Sequence, residues 1–394
     1  MARRPPPDPA GPAKGPEKGE LLSPAQRLDW LRLIRTENVG PRTFRALINQ
    51  YGGAAAALDA LPTLARRGGR LMPPQGPSRA EAEAEIAALA ARRARLVALG
   101  EADYPEALRA LDDAPPLLAV RGSGAALRGR IVAIVGARNA SAAGRTMAAR
   151  LTRDLVSAGW VVASGLARGI DAAAHAAALE GGRADATIGV LAGGLARPYP
   201  TENLGLIEEM AARGAVVSEM PLNWEARARD FPRRNRIVSG MALGVIVVEA
   251  AERSGSLITA RLAAEQGREV FAVPGSPLDP RSGGANRLIK QGATLVTDAA
   301  DVIEALTPIA TRRPDIAIEA PFIPPAGDFG ADAGPGEDAR ARLIGLLSPV
   351  PTQVDDLVRL SGVTPGEVQI VLLELELAGR LDRPGTGLVA LRMG

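Results

Sequence analysis

Between residues 23 and 102 the apolar positions of this chain recur at helical spacing, from about 130 to 306 they gather into short unbroken runs, and after 339 helical spacing returns. In the first stretch Leu28, Leu31 and Ile34 share one helix face, and Ser23-Pro24 offers an N-cap followed by proline at the first helical position. Asn38-Val39-Gly40-Pro41 breaks this helix, and Phe44, Leu47 and Ile48 begin the next. Helix, Val-Gly-Pro, helix is the pattern of a helix-hairpin-helix or of a sterile-alpha-motif-like bundle. Residues 66–79, rich in Arg, Gly and Pro, read as a linker, and a further helix is expected from about 81 to 99.

The middle of the chain carries β-rich runs at 131–135, 160–164, 186–192, 215–218, 244–249, 269–273 and 293–296, with segments of helical spacing between most of them. Near-continuous apolar strands separated by helices imply a parallel sheet covered on both faces. The expected core is therefore an α/β domain over 103–307 with a Rossmann-like, doubly wound, mostly parallel sheet. Residues 308–338 are rich in Pro, Gly and Asp and read as a flexible linker. Beyond them, Leu343, Leu346 and Leu347 mark one helix, and Val354, Leu357 and Val358 a second. A third follows Thr364-Pro365 with Val368, Val371, Leu372 and Leu375, and two short strands flank Pro384-Gly385-Thr386-Gly387. Three helices and a hairpin make a winged helix over 339–394. The expected order is completed by a disordered tail over 1–22 and a small helical, sterile-alpha-motif-like domain over 23–102. No internal repeat is present.

Composition narrows the chemistry. At 394 residues, of which 46% are hydrophobic, the chain suits two or three domains with a sizeable core. The absence of Cys excludes disulfides and thiolate metal sites, and a single His excludes a His-based one. No cofactor or metal is expected, although composition leaves an all-carboxylate Mg²⁺ site open. The net charge of +3 argues only weakly for nucleic acid. All but Lys14, Lys18 and Lys290 of the 47 basic residues are Arg, so their clustering carries more information than their number. Arg3 and Arg4 are followed by proline-rich sequence rather than an apolar stretch, which is not a secretory signal, and no apolar run could span a bilayer. A cytoplasmic protein without membrane contact is expected.

Five of the strand runs end in glycine and small hydroxyls: Gly136 with Arg138 and Ser141; Ser164-Gly165 with Arg168-Gly169; Gly193-Gly194; Ser254-Gly255-Ser256; and Gly275-Ser276. Ligands of open parallel sheets bind outside the carboxyl ends of the strands, where glycine lets backbone approach a phosphate and helix N-termini present N–H groups. The backbone at Gly136, Gly169 and Gly275 is thus expected to cradle phosphate. The spacing fits neither a dinucleotide fingerprint nor a P-loop. The sharpest feature is residues 227–236, which hold five Arg and one of the chain's five Phe. A groove tracking single-stranded nucleic acid needs cations for phosphates and flat groups for base stacking, and Arg229, Phe231, Arg233, Arg234, Asn235 and Arg236 supply both. Against this stands a solvated basic helix start with a core Phe. Asp171 and His175, one helical turn apart, could suggest acid–base chemistry, but with no third group or nucleophile near them in sequence they read as a structural or pocket-lining pair. Glu219 and Glu249, at strand ends, are the carboxylates an enzyme would use. The third helix of the winged domain, acidic and apolar from Gly366 to Glu376, suits protein interaction better than a major groove.

Taken together, these residues resemble the DprA/Smf family. The matching stretches are 134–138, 164–175, 218–221, 231–240, 249–260, 273–276 and 283–289, in order over essentially the whole Rossmann-like domain. The resemblance implies a non-catalytic protein that binds and protects single-stranded DNA during natural transformation and hands it to the RecA recombinase. It further implies a homodimer formed through the Rossmann-like domain. The family's basic pocket carries over to Arg138, Phe231, Arg233, Arg234 and Arg236, joined by Ser164, Gly165, Ser254, Gly255 and Ser256. Many family members have an aromatic two residues after the serine of the first loop, where this chain has Ala143. The fold also resembles nucleotide phosphoribohydrolases of the lysine-decarboxylase-like group. Those carry a Pro-Gly-Gly-x-Gly-Thr loop followed by a catalytic Glu; here the loop is Ser-Gly-Ser-Leu-Ile-Thr and Glu249 precedes it, which counts against hydrolysis.

Overall fold

A computed structural model describes residues 21–311, 336–385 and 387–392. The tail expected over 1–22 and the linker expected over 308–338 lie mostly outside the described residues. The chain forms two units. One takes the described parts of 1–82 and 319–394, the other residues 83–318.

The first unit opens with α1 (Pro24–Arg35), α2 (Pro41–Tyr51) and α3 (Ala54–Arg67). Ser23 and Gln26 close a reciprocal capping box at the start of α1, as the Ser-Pro signal predicts. Gly52, in the left-handed region at φ +72°, ends α2. The second unit begins within α4 (Arg79–Ala91) and continues with β1 (Ala94–Ala98), α5 (Glu106–Arg109), β2 (Leu117–Gly122), α6 (Gly124–Leu127) and β3 (Ile131–Val135). Then come α7 (Ala142–Ser157), β4 (Val161–Ser164), α8 (Ile170–Glu180), β5 (Thr187–Val190), α9 (Leu204–Arg213) and β6 (Ala215–Ser218). The unit closes with α10 (Asp230–Met241), β7 (Gly244–Val247), α11 (Ser256–Glu265), β8 (Glu269–Ala272), α12 (Gly283–Lys290), β9 (Thr294–Leu295) and α13 (Ala299–Thr311). The first unit resumes with α14 (Glu337–Leu346), β10 (Thr352–Gln353), α15 (Val354–Ser361), α16 (Pro365–Leu377), β11 (Leu381–Gly385) and β12 (Leu388–Leu391).

The nine strands of the second unit run in the order β1-β2-β6-β5-β4-β3-β7-β8-β9. From β6 to β9 every pairing is parallel, and β1 and β2 add an antiparallel edge. β3, the first strand of the parallel part, is buried along its whole length and has β4 on one side and β7 on the other, so the winding reverses beside it. Its side chains alternate between two cores. Val132 and Ile134 face a layer that includes Leu151, Leu155 and Trp160, whereas Ala133 and Val135 face one that includes Ile237, Val238 and Ala260.

Three boundaries differ from the sequence expectation. The helix expected over 81–99 stops at Ala91, and after Arg93, at φ +54°, the chain enters β1. Ala94-Arg95-Leu96-Val97-Ala98, apolar except at the exposed Arg95, suits either period, and antiparallel pairing with β2 makes it a strand. The sheet therefore starts before 103. At the far end α13 runs to Thr311, past the expected linker start. The outer modules are not independent: Leu373 and Leu377 of α16 enter the same core as Leu33, Phe44, Leu47 and Leu61. Asn38 Nδ2 donates to the carbonyl of Leu377 at 3.1 Å, and Arg340 donates both to the buried Glu374 carboxylate and to the Arg67 carbonyl. The opposite face of α16, with Val368, Val371, Leu372 and Leu375, fills the core of the winged helix. Two buried faces account for a helix that sequence reading found too apolar for a DNA groove. Among the described residues no helix is long and apolar enough to cross a membrane.

Candidate nucleic-acid interface

Strands β3 and β4 deliver their loops to one edge of the sheet, and the start of α10 meets them there. A shallow cleft at this point is lined by Arg138, Gly165, Arg168, Tyr199, Phe231 and Arg234. The half-buried Phe231 is its centre. The guanidinium carbon of Arg138 lies 5.1 Å from the ring centroid and that of Arg234 5.9 Å, while the Tyr199 ring meets it edge-on at 5.9 Å. Arg138 and Arg168 are exposed. Arg168 lies 3.6 Å from Glu202, a pair with both side chains largely in solvent.

Arg234 is buried. It donates through Nη1 to the carbonyls of Gly165 and, at 2.7 Å, of Val190. A Cβ on Gly165 would fall 2.5 Å from that guanidinium, so glycine is what lets the arginine pass. Burial lowers the Arg234 pKa to about 10, with repulsion from Arg138 adding to the effect and Asp171 opposing it; the side chain remains cationic at neutral pH. Burial raises the Asp171 carboxyl, against the pull of Arg234 and of backbone N–H donors. His175 is pushed down to about 3 by burial, reinforced by the Arg234 charge, and its Nδ1 lies 2.7 Å from Thr187 Oγ. His175 is accordingly uncharged at neutral pH, and the Asp171–His175 turn packs behind the cleft.

Several backbone donors of the glycine loops have partners within the protein. At the start of α7, where an open sheet could hold a phosphate, the Glu249 carboxylate accepts from Ser141 N at 2.9 Å and Ser141 Oγ at 2.5 Å. In the β4 loop Asp171 accepts from Gly165 N at 3.1 Å and Ala167 N at 3.3 Å. Gly275 N donates to Asn286 Oδ1 at 3.1 Å. Internal acceptors thus occupy these donors. The glycines are required sterically: a Cβ on Gly136 would lie 2.6 Å from the Ile170 side chain, one on Gly169 2.3 Å from the Ala137 carbonyl, and one on Gly275 2.0 Å from Ser282 Oγ. Gly169 also sits at φ +79°.

Several expected site residues lie outside the cleft. Ser164 is buried and its hydroxyl donates to the Ile134 carbonyl at 2.5 Å. Arg233 and Arg236 both bind Glu219, the former at 2.8 Å, so the basic run divides. Asn235 accepts from Arg234 Nε at 3.1 Å, and Arg229 is exposed at the cap of α10 without lining the cleft. Ser254 and Gly255 border a separate broad groove beside Leu257 and Leu288, with the hydroxyls of Ser254 and Ser256 2.7 Å apart. Tyr199 was not anticipated. It is one of only three Tyr, in Arg197-Pro198-Tyr199-Pro200, and an exposed aromatic among prolines was the available signal. Among the described residues no group of three or more His, Asp or Glu could hold a metal ion.

Family models match the chain in three places: DNA recombination-mediator protein A over 95–307, a DprA-like N-terminal HHH domain over 24–88, and a DprA winged helix domain over 328–385. Of the two N-terminal alternatives, the match is to the helix-hairpin-helix. DNA processing protein DprA of Bacillus subtilis (strain 168) is 45% identical over 212 residues, 53% of this chain and 70% of that protein. Protein Smf of Escherichia coli (strain K12) is 40% identical over 290 residues, 73% and 75% of the respective chains. The X-ray structure of DprA from Streptococcus pneumoniae aligns with a TM-score of 0.55 at 36% identity, covering 64% of this chain and 82% of that one.

Proposed function

Because the chain belongs to the DprA/Smf family of DNA recombination-mediator proteins, we propose that it binds single-stranded DNA in the Phe231 cleft, protects it and passes it to RecA during DNA uptake. The observation that carries this reading is the Phe231 ring with the guanidinium groups of Arg138 and Arg234 at 5.1 and 5.9 Å, one exposed and one buried. A base stacks on the ring, and Arg138 and Arg168 neutralise the adjoining phosphates. Such stacking contributes about 1–3 kcal/mol per base and tolerates any base, so sequence preference is small. Phosphate neutralisation releases counterions, so affinity falls steeply with salt.

No catalysis is part of this reading. Glu249, the carboxylate a phosphoribohydrolase would need, is engaged in capping α7 and accepts two hydrogen bonds from Ser141. Glu219 is similarly held between two arginines. The test is fluorescence anisotropy with labelled single-stranded and duplex oligonucleotides across a salt series. Preference for the single strand, lost in Phe231→Ala combined with Arg138→Ala, is expected. Equal binding by that variant would remove the site assignment, and release of adenine from AMP would favour the hydrolase. Transfer to RecA is checked separately, as a faster RecA-dependent strand exchange in the protein's presence. The third part of the reading is a homodimer through the sheet domain, supported by the exposed Leu295 on the edge strand β9.

A further inference from the structure

We propose that Trp224 and Arg227 form a second base-stacking subsite for the same single strand, beside the Phe231 cleft. This rests on the single-strand reading above and extends its footprint.

The chain has three tryptophans. Trp160 is fully buried in the sheet core, and Trp30 packs edge-on against Phe44 at 5.0 Å. Trp224 differs from both: it sits on the loop between β6 and α10, partly exposed and not among the residues of the two sheet cores. Its position is nevertheless fixed at three points. Trp224 N donates to the Pro221 carbonyl, Gly194 N donates to the Trp224 carbonyl, and Trp224 Nε1 donates to Asp230 Oδ2, each at 2.9 Å. A Cβ on Gly194 would lie 2.0 Å from the Pro221 carbonyl, so the loop seats on the β5 exit only because that residue is glycine. An indole held at these points, with its N–H satisfied from inside the protein, presents a flat surface on this loop.

Arg227 completes the surface. Its guanidinium carbon lies 5.0 Å from the Trp224 ring centroid, and the residue is exposed. Guanidinium planes stack bases as aromatic rings do, and carry the charge a neighbouring phosphate needs. Of the two acidic residues in this loop, Glu219 is held by Arg233 and Arg236, which leaves Glu225 against Arg227 and Arg229. The buried Asp230 also accepts from Arg227 N at 2.9 Å, so one carboxylate aligns both members of the pair. Asp230 is followed directly by Phe231. The residue that orders the Trp224–Arg227 pair is thus the immediate neighbour of the first stacking platform along the chain. The ligand class is a nucleobase with its linking phosphate.

The experiment follows intrinsic tryptophan fluorescence of the full chain during titration with unlabelled oligo-dT, alongside anisotropy with labelled oligo-dT. Binding is expected to quench the emission, and Trp224→Phe, which keeps a ring but lacks the N–H donated to Asp230, is expected to lose the quench and to weaken binding less than Trp224→Ala. Trp224→Ala should weaken binding by about 5- to 150-fold, the range for one stacked base. Arg227→Gln should reduce the slope of log affinity against log salt by about 0.7, as for one single-strand phosphate contact. Undiminished quench in Trp224→Phe, or full affinity in Trp224→Ala while Phe231→Ala has lost it, would overturn the second subsite and leave the Phe231 reading standing. No oligo-dT binding by the unmodified chain would overturn both.

Discussion

Single residues set the cleft. Gly165 and Arg234 are a coupled pair, because the buried guanidinium occupies the space a side chain at 165 would need. Gly165→Ala should destabilise the protein by about 1–3 kcal/mol, as overpacking does, and should weaken oligo-dT binding by displacing Arg234 from beneath Phe231. Calorimetry and anisotropy on the same preparation check the two effects. His175 makes the support behind the cleft sensitive to acid. Its pKa is about 3 in the folded protein against an ordinary value of 6.5. The unfolded chain therefore takes up a proton as pH falls below 6.5, and the folded one does not until about 3. The stability this group contributes is complete above pH 6.5 and declines through that window, by at most about 1.4 kcal/mol per pH unit. His175→Gln should flatten this part of the profile, which urea unfolding at pH 7 and pH 5 would reveal.

At the scale of elements, α10 explains why one basic run does two jobs. Phe231 and Arg234, three residues apart, turn towards the cleft, whereas Arg233 and Arg236, also three apart, turn towards Glu219. Helical period turns one of the three arginines of α10 towards the cleft and two towards Glu219 at the end of β6. The same reasoning applies to α16, whose apolar residues exceed what one face needs. Leu377, fully buried, belongs to the core shared with α2 and α3. Leu377→Asp should cost about 2–5 kcal/mol, combining a lost core side chain with an unpaired buried charge. Hydrogen exchange should then rise in α3 and α16 and leave the sheet unit unchanged. If α3 stayed protected, the joint core would be dispensable.

At the scale of the whole molecule, the sheet has two ends: β1 closes one and the two-residue β9 the other. An open strand edge with an exposed leucine invites pairing with a second copy. Leu295→Arg should shift the proposed dimer to monomer in sedimentation velocity, with single-strand affinity per cleft preserved; an unchanged sedimentation coefficient would exclude the β9 edge. The two terminal modules, far apart in the chain, join as one unit because Leu373 and Leu377 complete the core of the first helices.

The fold class was legible because its signal is local. Unbroken apolar runs such as Ile131–Val135, recurring between helical segments, read as strands buried on both faces, and Ser23-Pro24 and Thr364-Pro365 supply helix start signals. Phe231 and its arginines were legible for the same reason, since cations and a ring stood together within ten residues. β1 was not, because its five residues fit either period until β2 lies beside them. What fills the glycine loops was not legible either. Glu249 reaches the start of α7 across 108 residues, and Asp171 folds back on the β4 loop. Nor could spacing show that Tyr199 meets Phe231 or that Asp230 ties Trp224 to Arg227. Periodicity records which face of an element is buried, whereas the partner across that face is chosen by contacts between distant segments, and those exist only once the chain is folded.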